Sequence, residues 1–169
     1  EHAFGKINTD EVDSMARWAL ESFERGARNP KDGQGPYQIQ HELQDKMQDL
    51  VGIVRTEQDM LRALDEIEGF KQRSGKVCVH GNREYNTGWH TALDLSNLLT
   101  ISEAITRAAI ERKESRGGHF REDYQGKDKT LGELNIVVRR GPGGEMQVVR
   151  ENIPPMPAEL KKIIEEQQQ

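Results

Sequence analysis

The sequence predicts a mainly α fold, an antiparallel bundle of three or more helices with a small C-terminal β-hairpin. Three observations carry this. Apolar residues recur at three- and four-residue spacing from about residue 9 to residue 113. Strict alternation begins only after Leu131. The chain is polar, 34% hydrophobic and 31% charged over 169 residues, which suits helices with solvated outer faces around one sizeable core.

The first helix is expected to start at Thr9 or Asn8, with Asp10, Glu11 and Asp13 complementing the positive end of its dipole. Val12, Met15, Ala16, Ala19, Leu20 and Phe23 form its apolar face, and Gly26, Asn29 and Pro30 are expected to end it. Lys31–Pro36, KDGQGP, reads as a loop. From Tyr37 a second helical stripe runs through Ile39, Leu43, Met47, Leu50, Val51 and Val54, interrupted at Gly52. Thr56 is the next N-cap, with Asp59 at the third helical position, and Met60, Leu61, Leu64, Ile67 and Phe70 make the stripe that follows. Gly69, Ser74 and Gly75 mark its exit. Lys76–His80, KVCVH, is a β-prone connector in which Cys78 reads as a buried, inert thiol.

The longest helix is expected from Thr87, capped by Asn86 or Thr87 itself, to Lys113, with Leu95, Leu98, Leu99, Ser102, Ile105, Ala108, Ala109 and Arg112 along one side. About 26 residues make roughly 40 Å of helix, the central rod of a bundle. After Leu131, Leu134, Ile136 and Val138 alternate with Asn135, Val137 and Arg139, and Gly141–Gly144 separates them from Met146–Arg150, which reads as a hairpin. No helix start with a lysine and a serine or threonine follows those glycines, so they read as a turn, not a phosphate loop. Ile153–Pro157 is an extended arm, Ala158–Glu166 a short helix, and Gln167–Gln169 a frayed end. The expected division is a helical bundle over 1–130 and a hairpin, arm and terminal helix over 131–169.

Composition narrows function. A net charge of −5 argues against wholesale nucleic-acid binding. One cysteine permits no internal disulfide, and no second cysteine or histidine pair completes a metal ligand set around Cys78 and His80. No apolar run reaches the length of a membrane span, and no signal peptide is visible. The chain begins at Glu1, without methionine, and reads as a fragment or processed piece. No catalytic triad spacing, cofactor fingerprint or carboxylate cluster emerges, so no catalytic, cofactor-binding or metal-ligating residue is assigned.

The stretch that concentrates chemistry is Lys113–Tyr124, KESRGGHFREDY, in which seven of twelve residues can be charged. Arg116, Gly117, Gly118, His119, Arg121, Asp123 and Tyr124 are the candidate site. The glycines let the helix stop and the chain turn, and the arginines offer planar forks for carboxylates or carbonyls. Their side chains are expected to point away from the bundle together, solvated or paired locally. The plainer alternative is a charged helix end followed by a solvated loop.

Asn86–Tyr124, NTGWHTALDLSNLLTISEAITRAAIERKESRGGHFREDY, resembles the C-terminal helical domain of succinate dehydrogenase and fumarate reductase flavoprotein subunits. The shared features are an asparagine-threonine helix start, an Asn97-Leu98-Leu99 step, and the run from Arg112 to Tyr124. Met47–Arg55, Leu64–Phe70 and the tail GGEMQVVRENIPPMPAELKKIIEE resemble further parts of the family; Gln125 stands where it usually has proline. The resemblance implies a helical support domain without cofactor of its own, FAD being held by the upstream part of the parent subunit. It implies docking of the Arg116–Tyr124 loop on that FAD-binding domain, an iron–sulfur subunit as partner, no nucleic acid and no direct membrane insertion. Localisation would be cytoplasmic, peripheral to the inner face of the cell membrane through the parent complex. The full subunit would interconvert succinate and fumarate by hydride transfer to and from flavin, whereas this chain alone would be inactive. L-aspartate oxidase, which shares the helical domain, and a standalone helical interaction module are the alternatives.

Overall fold

A computed structural model describes residues 7–28 and 33–167. Five helices and two small sheets follow in the order α1 (Thr9–Arg28), α2 (Pro36–Val51), β1 (Val54–Arg55), α3 (Glu57–Ser74), α4 (Thr87–Glu111), β2 (Phe120–Arg121), β3 (Leu134–Arg140), β4 (Met146–Asn152) and α5 (Ala158–Gln167). This is the expected mainly α fold with a hairpin appendage. Asn29 and Pro30, expected to end α1, lie outside the described residues, as do Lys31 and Asp32 of the loop and Gln168 and Gln169 of the tail.

The bundle proper is α2, α3 and α4. Lys46 pairs with Glu66 and Glu42 with Arg73, so α3 runs back along α2. Lys71 pairs with Glu103 and Glu57 with Lys113, so α4 reverses direction again. α2 and α4 are thus parallel, with the Tyr37 hydroxyl donating to Thr87 Oγ1 at one end and Thr106 touching Met47 further along. Ile39, Leu43, Ile67, Phe70, Leu95 and Leu99 fill the space between them. Leu50, Val51 and Ala63 form a second cluster, and Met47 packs against both. All but Ala63 are positions that the three- and four-residue spacing had placed inward.

The caps explain where the rods begin. Thr56 Oγ1 accepts from the Asp59 amide and Asn86 Oδ1 from the Trp89 amide, each satisfying a donor that a helix start leaves unpaired. Asn86 also donates to the carbonyls of His80 and Asn82, which fixes the loop ahead of α4. α1 lies against the start of α4. Trp89 donates its indole N–H to Ala19 O, and its ring meets Phe23 edge-on at 5.3 Å. The connector through Val77, Cys78 and Val79 is buried and extended but joins no sheet. Val79 N donates to Ser22 O, Cys78 N to Gln34 O, and Arg25 Nε to Val77 O.

Three boundaries differ from expectation. Gly26 does not end α1. It lies within the helix, buried, where an added Cβ would stand 2.2 Å from Val79 O, so its role is close approach of two backbones. Val54 does not continue α2, which stops at Val51 with Gly52 as C-cap. Instead Val54 and Arg55 form β1, paired in parallel with Phe120 and Arg121 of β2. α4 ends at Glu111, two residues early, for a reason that lies in the candidate site.

The hairpin pairs β3 with β4 from Leu134–Asn152 to Arg140–Met146. It is tied to α4 by Arg150 Nε donating to Glu111 Oε1 and Arg112 Nη2 donating to Leu134 O. Ile153 N donates to Glu133 O, holding the start of the arm, while α5 buries none of its residues.

Candidate functional site

Beyond Glu111 the chain folds back on the end of α4. Arg116 and His119 exchange backbone hydrogen bonds (2.8 and 3.1 Å) across Gly117 and Gly118, a tight turn for which Gly117 takes φ +60°. The return brings β2 beside β1, and Arg121 beneath the helix.

Arg121 is fully buried. Its Nη1 donates to the carbonyls of Ala109 (3.0 Å), Ile110 (3.3 Å) and Arg112 (3.4 Å). These belong to the last turn of α4, where carbonyls have no partner within the helix and the dipole is negative. A guanidinium therefore caps α4, and the backbone leaves helical angles at Arg112 (φ −84°, ψ 90°) without a glycine there. Nε and Nη2 meet Asp123 Oδ1 and Oδ2 at 2.7 and 2.8 Å, a two-pronged pair. The pairing with Arg121 outweighs burial and holds the Asp123 carboxyl at about 2. Asp123 Oδ2 also accepts from the Glu57 amide, tying the loop to the first turn of α3. The Tyr124 ring stacks 4.9 Å from the Arg121 guanidinium.

Glu114 is the second hub. Its side chain is fully buried and accepts four hydrogen bonds. Arg116 donates twice (2.9 and 3.0 Å), Arg112 Nη1 once (2.5 Å) and the Asp128 amide once (2.8 Å). Arg116 chiefly, against the opposing effect of burial, holds this carboxyl at about 2. Arg112 reaches on to Leu131 O and Arg116 to Asp128 O, so one carboxylate joins the loop to the segment leading into the hairpin.

His119 lies between the two hubs. Its Nδ1 is 2.7 Å from Arg55 Nη1 and its Nε2 2.9 Å from Arg112 O. A guanidinium only donates and a carbonyl only accepts, so Nδ1 is the acceptor and Nε2 carries the proton. Burial, then the charges of Arg55, Arg121 and Arg112, lower its pKa, while the bond to Arg112 O opposes them.

The site residues are thus brought together, with Arg121 buried and His119 half-buried between the hubs. The expectation that Arg116, His119, Arg121 and Asp123 point away from the bundle together fails at Arg121 and His119, because the unpaired end of α4 is there to be satisfied, while the expected local pairing is met by Arg116 with Glu114 and by Arg121 with Asp123. The solvated-loop alternative fails at Arg121 for the same reason. Gly117 and Gly118 have open space around them, and Tyr124 is half-exposed. Sequence reading missed Glu114 as a hub, and with it Arg55, Glu57, Arg112 and Asp128. Arg55 precedes the Thr56 cap and stands 64 residues from His119, so no local spacing announces it. Among the described residues no three histidine, cysteine or acidic side chains converge as metal ligands. The Gly141–Gly144 run closes the β3–β4 turn and leads into a strand, so it presents no helix N-terminus to a phosphate.

A family profile described as the fumarate reductase flavoprotein C-terminus matches residues 40–161. The chain belongs to that family. The fumarate reductase flavoprotein subunit of Haemophilus influenzae is 32% identical over 124 residues, 72% of this chain and 20% of that protein. L-aspartate oxidase of Yersinia pestis is 42% identical over 84 residues, 50% of this chain and 15% of that protein. Among solved structures, Mycobacterium smegmatis Sdh1 in complex with UQ1 superposes with a TM-score of 0.84 at 37% identity, over 95% of this chain and 27% of that one. The chain therefore spans a fifth or so of the length of the relatives it matches. It is the C-terminal helical domain of the succinate dehydrogenase and fumarate reductase flavoprotein family, and the Arg121 and Glu114 hubs lie within the matched region.

Proposed function

We infer that this domain supports a flavoprotein subunit that interconverts succinate and fumarate, with FAD and the dicarboxylate held by the remainder of that subunit. The single observation that carries this reading is the 37% identity to Mycobacterium smegmatis Sdh1 across 95% of the chain. The glycine turn of the hairpin presents no helix N-terminus to a flavin pyrophosphate, which supports the reading that the cofactor is held by the rest of the subunit. The loop Arg116–Tyr124 would meet the FAD-binding domain through what it leaves outside: the Gly117–Gly118 turn and the Tyr124 ring. An iron–sulfur subunit would take electrons from the flavin, and the complex would sit at the inner face of the cell membrane; no helix described here is long and apolar enough to cross one.

L-aspartate oxidase is the second reading, favoured by the 42% identity over 84 residues. The two separate in one experiment. The complete subunit is purified, its flavin quantified, and its turnover measured with succinate, fumarate and L-aspartate. The expected outcome is flavin near stoichiometry and turnover with succinate or fumarate, with a colourless, inactive protein for the present chain alone. Turnover with L-aspartate only would establish the oxidase reading, and a stoichiometric flavin band in the present chain would overturn the assignment of the cofactor.

A further inference from the structure

The corner formed by Ile53, Val54, Arg55 and Phe120 leaves three kinds of group incompletely partnered among the described residues. The first is backbone. Phe120 N donates to Ile53 O (3.3 Å) and Glu122 N to Arg55 O (3.0 Å). In a parallel pair those bonds turn the N–H and C=O of Val54 away from β2, and neither has another partner among the described residues. The outer edge of β2 is closed by contrast, since Arg121 N donates to Ser115 Oγ at 2.9 Å. The second is apolar surface. Val54 and Phe120 are in register and so share a face, and Ile53, Val54 and Phe120 are 71%, 53% and 39% exposed. The third is charge. Arg55 has no carboxylate within 4 Å among the described residues, unlike Arg112, Arg116 and Arg121 around it. Its guanidinium is nevertheless held in place, Nε donating to Gly52 O (2.6 Å) and Val51 O (3.2 Å) and Nη1 to His119.

We propose that β1 is the edge on which an extended, acidic segment of the rest of the parent subunit docks. That segment adds a strand beside Val54, covers Ile53, Val54 and Phe120 with apolar side chains, and sets a carboxylate against Arg55. The proposal rests on the reading that this domain works joined to a flavin-binding part. The occupant follows from charge and from chain length. Two copies pairing edge to edge across a two-fold axis would bring their Arg55 side chains together, and like charges across a strand pair repel. An acidic segment meets the fixed guanidinium instead. The relatives devote 15% to 27% of their length to the matched region in the examples above, so most of each chain lies outside it and is available as that segment.

Thiol accessibility tests this. Cys78 is buried and is replaced in a Cys78→Ser background to remove any contribution of its own. Val54→Cys is introduced into the present chain and into the complete subunit, and maleimide labelling rates are compared. The expected result is fast labelling in the present chain and labelling at least tenfold slower in the complete subunit, with slowed amide exchange over residues 53–55. Equal rates, with exchange slowed only over 116–124, would overturn the β1 edge while leaving the docked domain intact. Equal rates with no slowed exchange anywhere in the domain would remove the docked-domain reading, and this inference with it. Labelling that slows in the present chain as its concentration rises, with a doubled mass in solution, would make a second copy the occupant and overturn the acidic segment.

Discussion

Arg121 and Glu114 face the same physical problem with opposite charges. A buried ion is costly unless each of its hydrogen-bonding positions is met, and each here is met by groups that themselves need partners. Arg121 takes the orphan carbonyls of α4, and Glu114 takes two guanidinium groups and an amide. Glu114→Gln leaves Arg112 and Arg116 facing a neutral group, and a loss of about 3 kcal/mol is expected in a urea melt at pH 7, in line with breaking a buried pair. The pH dependence has a defined sign. The Glu114 and Asp123 carboxyls are held at about 2, below their ordinary 4.5 and 3.8, so the unfolded chain binds more protons. Their stabilisation is complete above about pH 4.5 and is lost as pH falls towards 2. His119, lowered from 6.5 chiefly by burial, adds a loss that begins as pH falls below that value. Thermal melts from pH 7 to pH 2 should therefore fall first as pH drops below 6.5 and again below 4.5, and Glu114→Gln should flatten the part below 4.5. A Glu114→Gln curve parallel to the parent's there would mean the carboxyl is not held as described.

At the scale of elements, contact between backbones decides more than propensity. α1 reaches the buried connector through Gly26, whose missing side chain lets Val79 O approach, and through the Ser22 carbonyl. Gly26→Ala puts a methyl group into backbone, which cannot rotate aside. The gain in helix propensity, about 1 kcal/mol, is expected to be outweighed, for a net loss of roughly 1–3 kcal/mol measured as a lower urea midpoint at unchanged slope. α5 is the opposite case. It is amphipathic, yet none of its residues is buried. Truncation after Pro157 is expected to leave the urea midpoint of the rest within about 0.5 kcal/mol of the parent; a larger loss would show that α5 packs on the bundle in solution.

Across the whole molecule, the up-down-up path of α2, α3 and α4 puts the start of α3, the end of α4 and the β1–β2 pair at one end of the bundle. The two hubs lock that end from within. An Arg116 solvated at a helix end would lose little on replacement by alanine. Its two bonds to the buried Glu114 carboxylate give it a structural role, and a lower melting temperature is expected in the domain itself. Melts of the present chain and of the complete subunit, each with and without the substitution, check this. Similar losses in both are the expected outcome, whereas a loss confined to the complete subunit, with flavin released, would return Arg116 to the docking surface.

Much of this was legible in the residues. The three- and four-residue spacing identified Ile39, Leu43, Ile67, Phe70, Leu95 and Leu99, because a helix face must be apolar to be buried. Thr56 and Asn86 announced their caps, since a short oxygen-bearing side chain at that place meets an amide two or three residues on. Alternation and a glycine turn announced the hairpin. The run Arg112–Tyr124 marked the site, but not which way it faces. Only the tertiary structure decided that. The direction of Arg121 depends on carbonyls exposed by the end of α4, and that of His119 on an arginine 64 positions away. A two-residue parallel strand pair has no periodicity to read, and it exists because the returning loop meets the end of α2. Local pattern fixes which surfaces need partners; which partner satisfies a buried charge is settled only when distant segments meet.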